Sequence, residues 1–206
     1  MTLSKVTPFA LMARDLAVIQ SYARCEADEQ EWLESAAAPL VLLDADGPER
    51  VAPEVAPGQS TLGFMLPYSP LHRLLLADWD RPLVMTSGNL SDEPQCTAND
   101  EAGERLAQIA DLWLAHDREI VNRVDDSVLR IASGGVQLTR RARGYAPLSI
   151  RVKRLLPTVL ALGGHLKNTV ALSVGREVIL TPHIGDLDNT LSVDVHRRAV
   201  DDFVSF

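Results

Sequence analysis

Apolar residues in this chain fall in short runs broken by polar turns. Pro8-Phe9-Ala10-Leu11-Met12 reads as a buried strand, with no earlier element for it to pair with. Asp15 suits the N-cap of a helix running to about Cys25, with Leu16, Ile19 and Tyr22 at helical spacing. An acidic helix follows from Asp28 to Ser35, its charges forming a solvated face. Pro39 to Asp44 is a second apolar strand, and Asp44 to Gly58, rich in Pro, Gly and acids, is a surface loop. Leu62 to Pro67 resumes the strand pattern. Ser69 as N-cap and Pro70 at the first helical position predict a helix through Ala77, on which His72 is a packed or surface residue rather than a ligand.

Leu83 to Met85 reads as a short buried strand that stops abruptly in Thr86-Ser87-Gly88-Asn89-Leu90-Ser91-Asp92-Glu93. Asn99 or Asp100 can cap a helix to about Ala115, with Leu106, Ile109, Ala110 and Trp113 as its apolar stripe. After the charged His116-Asp117-Arg118-Glu119, Ile120-Val121 leads through Asp125-Asp126-Ser127 into another apolar stretch. Arg151 to Arg154, followed by Pro157, reads as a linker. Beyond it the pattern predicts a hairpin from Val159 to Leu172 around Gly163-Gly164, a third strand from Glu177 to Leu180, and a helix from Val193 to Phe206. Strands and helices are mixed throughout, so the fold class is α/β.

Composition narrows the function classes. At 206 residues the chain can build one full core, or one domain and part of another. A net charge of -8 argues against broad nucleic-acid binding, which needs a basic surface, though a local basic cluster can still hold a phosphate. Cys25 and Cys96 lack metal-ligand spacing and read as buried or free thiols of a reducing compartment. No apolar run approaches the roughly 20 residues that span a bilayer, and Met1 to Lys5 lacks the plan of a signal peptide. The expected location is the cytoplasm, with no membrane partner.

Four stretches carry candidate chemistry. Thr86-Ser87-Gly88-Asn89 is either a polar turn or a ligand site: a glycine admits close approach, and Ser87 and Asn89 can donate to phosphate or carbonyl oxygens. Asp125-Asp126-Ser127 is either a charged turn before a strand or a site for a metal or hydroxylated ligand. Arg140-Arg141-Ala142-Arg143-Gly144-Tyr145 is the basic cluster of an acidic chain, either a solvated turn or a grip on phosphates with an aromatic beside it. Gly163-Gly164-His165-Leu166-Lys167-Asn168 offers backbone N–H groups, a lysine and an amide, which suits a phosphate-binding turn.

Several of these stretches, in order, match one family. Pro39 to Leu43, Val55-Ala56-Pro57-Gly58, Leu62 to His72, Met85 to Ser91, His116 to Val121, Val124 to Val128 and Arg140 to Tyr145 resemble the YrdC-like domain of the HypF carbamoyltransferases, which serve [NiFe]-hydrogenase maturation. Leu162 to Thr169 and His183-Ile184-Gly185-Asp186-Leu187-Asp188-Asn189 resemble the start of the ASKHA-like domain that follows it. The resemblance covers nearly the whole chain. It implies residues 1–152 as a YrdC-like domain, a twisted open sheet flanked by helices, and 153–206 as the start of the ASKHA-like domain. Threonylcarbamoyl-adenylate synthases, which act in tRNA modification, share the first fold and the Ser-x-Asn element. They do not resemble the arginine run that feeds the Gly-Gly-His-Leu-Lys-Asn hairpin.

The resemblance implies a two-step transfer. Carbamate, released from carbamoyl phosphate elsewhere in the family's protein, joins ATP to give carbamoyl-adenylate and pyrophosphate. The carbamoyl group then passes to the C-terminal cysteine of the partner protein HypE. Carried over by position, Ser87 and Asn89 are nucleotide and carbamate contacts with Thr86 beside them. Arg141 and Arg143 are phosphate contacts, Ser127 is a weaker candidate, and Lys167 and Asn168 belong to nucleotide binding in the second domain. Of these, Ser87, Asn89 and Arg143 are the expected catalytic groups. ATP with Mg2+ is the implied cofactor set, and the family's zinc and iron sites fall outside this chain. The family's Lys-x-Arg element is absent from Thr2 to Thr7, and Lys5 fills neither position. The expectation is an internal piece of such a protein, inactive alone in carbamoyl-adenylate synthesis, with a remnant that only binds nucleotide or a partner as the alternative.

Overall fold

The computed structural model describes residues 8–90 and 93–205; Thr2 to Thr7 with Lys5, Ser91 and Asp92, and Phe206 lie outside the described residues. The chain forms two compact units that interleave in sequence.

The first unit comprises residues 8–86 and Asp126–Arg140. It contains β1 (Ala10–Met12), α1 (Leu16–Tyr22), α2 (Ala27–Leu33), β2 (Leu40–Asp44), β3 (Thr61–Met65), α3 (Pro70–Leu76) and β4 (Leu83–Met85). The later segment adds β5 (Val128–Ala132) and β6 (Gly135–Arg140). All six strands form one mixed sheet in the order β4-β1-β3-β2-β5-β6. β1 finds its partners later in the chain, β3 in parallel and β4 antiparallel, so the early apolar run is a central strand. Its Leu11 and Met12, with Val41, Leu43, Phe64 and Leu129 from the neighbouring strands, are essentially removed from solvent and form the core. Ile19 and Leu33 are buried from α1 and α2. Met12, Met65 and Leu76 cluster there, with Leu83 and Met85 packed on them.

The local rules operate at the helix starts. The Asp15 carboxylate accepts from Val18 N at 3.0 Å and the Ser69 hydroxyl from His72 N at 3.2 Å, each satisfying a free N–H of a first turn. α1 ends at Tyr22, short of Cys25, because Ala23 turns to extended backbone. His72 packs edge-on against Tyr68 with ring centroids 4.5 Å apart, as expected of a packed residue. Leu83–Met85 is a strand but not a buried one: β4 lies at the sheet edge and Val84 is 45% exposed. The β5–β6 hairpin turns at Ser133 and Gly134, both at positive φ, the geometry of a two-residue hairpin turn.

The second unit comprises the described residues of 87–125 and 141–205. It holds α4 (Asn99–Arg105), β7 (Ile150–Ala161), β8 (Ala171–Leu180) and α5 (Thr190–Ser205). The helix expected to reach Ala115 stops at Arg105. Its apolar stripe is not buried: Ile109 is 64% exposed and Trp113 47%. Most helical stability comes from packing such a face, and without that packing the segment has little reason to stay helical. The expected linker at Arg151–Arg154 is part of β7, a continuous strand paired antiparallel with β8. Register shifts lie on either side of Leu156, and the second, between Leu156 and Val159, takes in Pro157, so a residue without an N–H is accommodated where the ladder is irregular. Glu177–Leu180 continues β8 instead of forming a third strand. α5 starts at Thr190, three residues earlier than expected; the Asn189 side chain accepts from Ser192 N at 2.9 Å.

Candidate functional site

The Ser87–Asn89 turn is built from its own side chains. The Ser87 hydroxyl donates to Asn89 Oδ1, and Asn89 Nδ2 donates to Leu90 O at 2.9 Å. Asn89 N returns to Ser87 O at 3.0 Å, and Cys96 N donates to Gly88 O at 2.9 Å, which ties the turn to the following segment. Ser87 is exposed and Asn89 half-buried, so polar groups are presented to solvent on a fixed backbone. Thr86, exposed at the end of β4, is the last residue of the first unit before the chain enters the second.

The arginine loop belongs to the second unit. Arg141 is largely committed internally: its Nη2 donates to Tyr145 O at 2.7 Å and to Leu148 O at 2.9 Å, and its guanidinium stands 5.9 Å from the Tyr145 ring centroid. Such a cation–aromatic contact adds to the hold. Burial raises the Tyr145 hydroxyl pKa, with the Arg141 charge opposing. Arg141 therefore shapes the loop, which qualifies its expected role as a phosphate contact. Arg143 is anchored through its backbone, whose N–H donates to Asp125 O at 3.1 Å, and its side chain is half-buried.

Asp125 gathers further partners. Its Oδ1 accepts from Gln95 Nε2 at 3.1 Å, and its Oδ2 lies 3.1 Å from His183 Nδ1. Gln95 O in turn accepts from Arg123 Nε at 2.6 Å. Asp125 and His183 each lie in a stretch that stood out in sequence, but no spacing rule links residues 58 positions apart. Among the described residues no group of three or more His, Cys, Asp or Glu could hold a metal ion, so the Asp125-Asp126 pair is not a metal cage of that kind. Mg2+ commonly needs few protein ligands because it travels on nucleotide phosphates. Ser127 lies in the first unit, fully buried before β5, with its carbonyl accepting from Leu40 N at 2.8 Å.

The 162–170 connection is a strapped loop. Asn168 is 1% exposed, and its Nδ2 donates to Leu162 O at 3.0 Å and Gly164 O at 2.6 Å. Its main chain exchanges hydrogen bonds with Gly185 O and Ile184 N. Asn168 is thus an internal strut, where the sequence expectation was a nucleotide contact. Lys167 is exposed and pairs with Asp186. His165 Nε2 lies 2.7 Å from Asp188 Oδ1. Elsewhere, in the first unit, burial, helped by the Glu29 and Glu34 carboxylates, pushes the Cys25 thiol up to about 11. It is held as the neutral thiol.

A mixed sheet of this order, entered through the Leu62 to His72 strand–helix pair and left through a Ser-x-Asn turn, is the architecture of a YrdC-like protein. Residues 3–142 match the Sua5–YciO–YrdC family model, described as "Telomere recombination", and the chain belongs to that family. Residues 154–206 match the HypF Kae1-like domain. The chain is homologous to HypF carbamoyltransferases: it is 42% identical over 200 residues to the Rhizobium leguminosarum bv. viciae protein and 45% over 196 residues to that of Synechocystis sp.. Each alignment covers 94% of this chain, and 26% and 25% of the relatives. A crystal structure of full-length HypF in the phosphate- and nucleotide-bound form superposes with a TM-score of 0.91 at 43% identity, over 96% of this chain and 31% of that one. The chain therefore spans about a quarter of the length of the curated relatives it matches. Among the described residues no helix is long and apolar enough to cross a membrane.

Proposed function

We propose that this chain supplies the nucleotide-handling part of an ATP-dependent carbamoyltransferase of hydrogenase maturation. On this reading residues 1–152 act as a YrdC-like domain and 153–206 as the opening of the ASKHA-like one. The reaction joins carbamate, derived from carbamoyl phosphate, to ATP, forming carbamoyl-adenylate and releasing pyrophosphate. The carbamoyl group then moves to the C-terminal cysteine thiol of HypE, with AMP as the leaving group, in the cytoplasm. The observation that carries the reading is the 42–45% identity to HypF carbamoyltransferases across nearly the whole chain.

The residues fit that chemistry. Carbamate is a weak nucleophile, so positioning and charge neutralisation have to supply the rate. Ser87 and Asn89, with Thr86 beside them, provide hydroxyl and amide groups on a turn that needs little reorganisation. Arg143 provides the phosphate-facing cation, and Arg141 holds the loop that carries it. Lys167 remains the nucleotide candidate of the 162–170 loop, with Asn168 as its support, and Ser127 backs the sheet from within. Mg2+ would neutralise the ATP phosphates. Isothermal titration of the chain with Mg–ATP tests the assignment. Ser87→Ala and Arg143→Ala should each weaken binding on the order of tenfold, the loss of one hydrogen bond to a charged group. Unchanged affinity in both removes it.

A further inference from the structure

We propose that Asp125 and His183 are positioning residues that hold the arginine loop in its phosphate-facing form. The segment matched by the second family model would then help to build the anion site of the first. The inference rests on the reading of Arg143 as a phosphate contact.

Two backbone groups on either side of Ala142 are tied down. His183 N donates to Arg141 O at 3.2 Å, and Arg143 N donates to Asp125 O at 3.1 Å. The two anchors are joined by the contact between His183 Nδ1 and Asp125 Oδ2. The result is a closed circuit: Arg141 to His183, His183 to Asp125, Asp125 to Arg143, and back through Ala142, which is fully buried. A carboxylate only accepts, so His183 Nδ1 carries the proton in this contact. The other carboxylate oxygen receives Gln95, which fixes the Asp125 side chain from a second direction. The His183 side chain is only 11% exposed, so its contact is poorly screened by water.

The circuit spans the two matched regions. Asp125, Arg141 and Ala142 fall within residues 3–142, and His183 falls within 154–206. Arg141 is already bound to Tyr145 O and Leu148 O, so the loop is stiff between 141 and 148. Its orientation is then governed by what holds Arg141 O and Arg143 N. Those holders are His183 and Asp125.

The test uses the full 206-residue chain with His183→Ala, His183→Asn and Asp125→Asn, read by amide hydrogen exchange and by Mg–ATP titration. His183→Ala and Asp125→Asn should speed exchange of the Arg143 amide about tenfold and weaken ATP by a similar factor, while β1–β3 amides stay protected. His183→Asn places an amide N–H near the Nδ1 position and should restore both to within about twofold, a rescue that a merely space-filling role would not give. Unchanged exchange in His183→Ala and Asp125→Asn overturns the proposal. So does unchanged ATP affinity in those variants where Arg143→Ala weakens it. If Arg143→Ala itself leaves ATP binding intact, the anion-site reading fails, and the exchange data alone still decide whether the circuit holds the loop. Should His183→Ala not fold, Asp125→Ala, which leaves no side-chain acceptor for His183 Nδ1, decides the same question.

Discussion

The backbone N–H of Lys167 donates to Asp186 Oδ1 at 2.8 Å, and the Lys167 ammonium lies 3.3 Å from the same oxygen. Lys167 has a φ of 52°, the left-handed region that costs an L-residue about 1–2 kcal/mol. One carboxylate oxygen therefore holds both the strained backbone and the side chain of a residue that sequence marks as a nucleotide contact. The Asp186 side chain is 20% exposed.

Asp186→Ala should lower stability by about 1 kcal/mol, since the Lys167 N–H loses its acceptor, whereas Asp186→Asn keeps an oxygen there and should cost less. Urea denaturation of the three chains measures this. Equal midpoints for all three would mean that the loop does not depend on Asp186.

Asn168 separates support from ligand contact. Its amide donates to two carbonyls from a fully buried position, so Asn168→Asp would set a carboxylate against two acceptors and should cost about 3 kcal/mol or more. Gly163→Ala should disturb the same strut from the other side. Gly163 has a φ of 73°, and a Cβ there would lie 2.6 Å from Thr169 O and 2.8 Å from Asn168 Nδ2. Thermal melts should show both variants destabilised. A variant that melts like the parent yet loses ATP would instead mark Asn168 as a direct contact.

How much of the structure is legible in the sequence varies with the range of the cause. Ser69-Pro70 and Asp15 announce their helices because capping is local, and the strands of the first sheet follow from apolar runs. The 106–115 stripe misleads: helical spacing is necessary for an amphipathic helix, but a surface to bury it on is a tertiary property. Arg151–Arg154 looks like a linker because the sequence does not display the pairing with β8 that makes it a strand. Short motifs raise Ser87, Asn89 and Arg143 as candidates, and Ser87 and Asn89 do bond to each other. The Asp125–His183 contact joins partners 58 positions apart, Asn168 is engaged through its burial, and Arg141 turns back on nearby carbonyls only because of the conformation of its loop, none of which a local pattern reports.

Gly47 offers a test inside the first unit. Its N–H donates to Tyr22 O at 3.2 Å, and a Cβ at this position would lie 2.3 Å from Tyr22 C and 2.6 Å from Ser21 O. Those are backbone atoms and cannot swing aside, so Gly47→Ala has to push the 44–49 loop off the end of α1. A loss of about 3 kcal/mol is expected, in the range of severe overpacking. At Gly63 the nearest atoms are the Leu40 side chain at 3.0 Å, which can shift, and Gly63→Ala should cost clearly less. Urea midpoints in the opposite order would contradict the packing argument.

Asp15 makes the start of α1 sensitive to acid. Arg14, by its hydrogen bond, is the largest cause holding the Asp15 carboxyl below its ordinary value, and Val18 N adds to it. A folded pKa below the unfolded value near 3.8 means that the stabilisation is complete above that value and lost as pH falls through the lower folded one. At pH 7 Asp15→Ala removes the cap of α1 and should cost about 1 kcal/mol, while Asp15→Asn keeps an accepting oxygen and should cost a few tenths. Because other carboxylates titrate in the same window, the quantity to follow is the difference between parent and variant. That difference should be flat from about pH 7 to about 5 and shrink below 3.8 as the parent's own carboxyl takes up a proton. A gap that stays constant down to about pH 3 would show that Asp15 acts through its oxygen alone and that the Arg14 contact contributes nothing to α1.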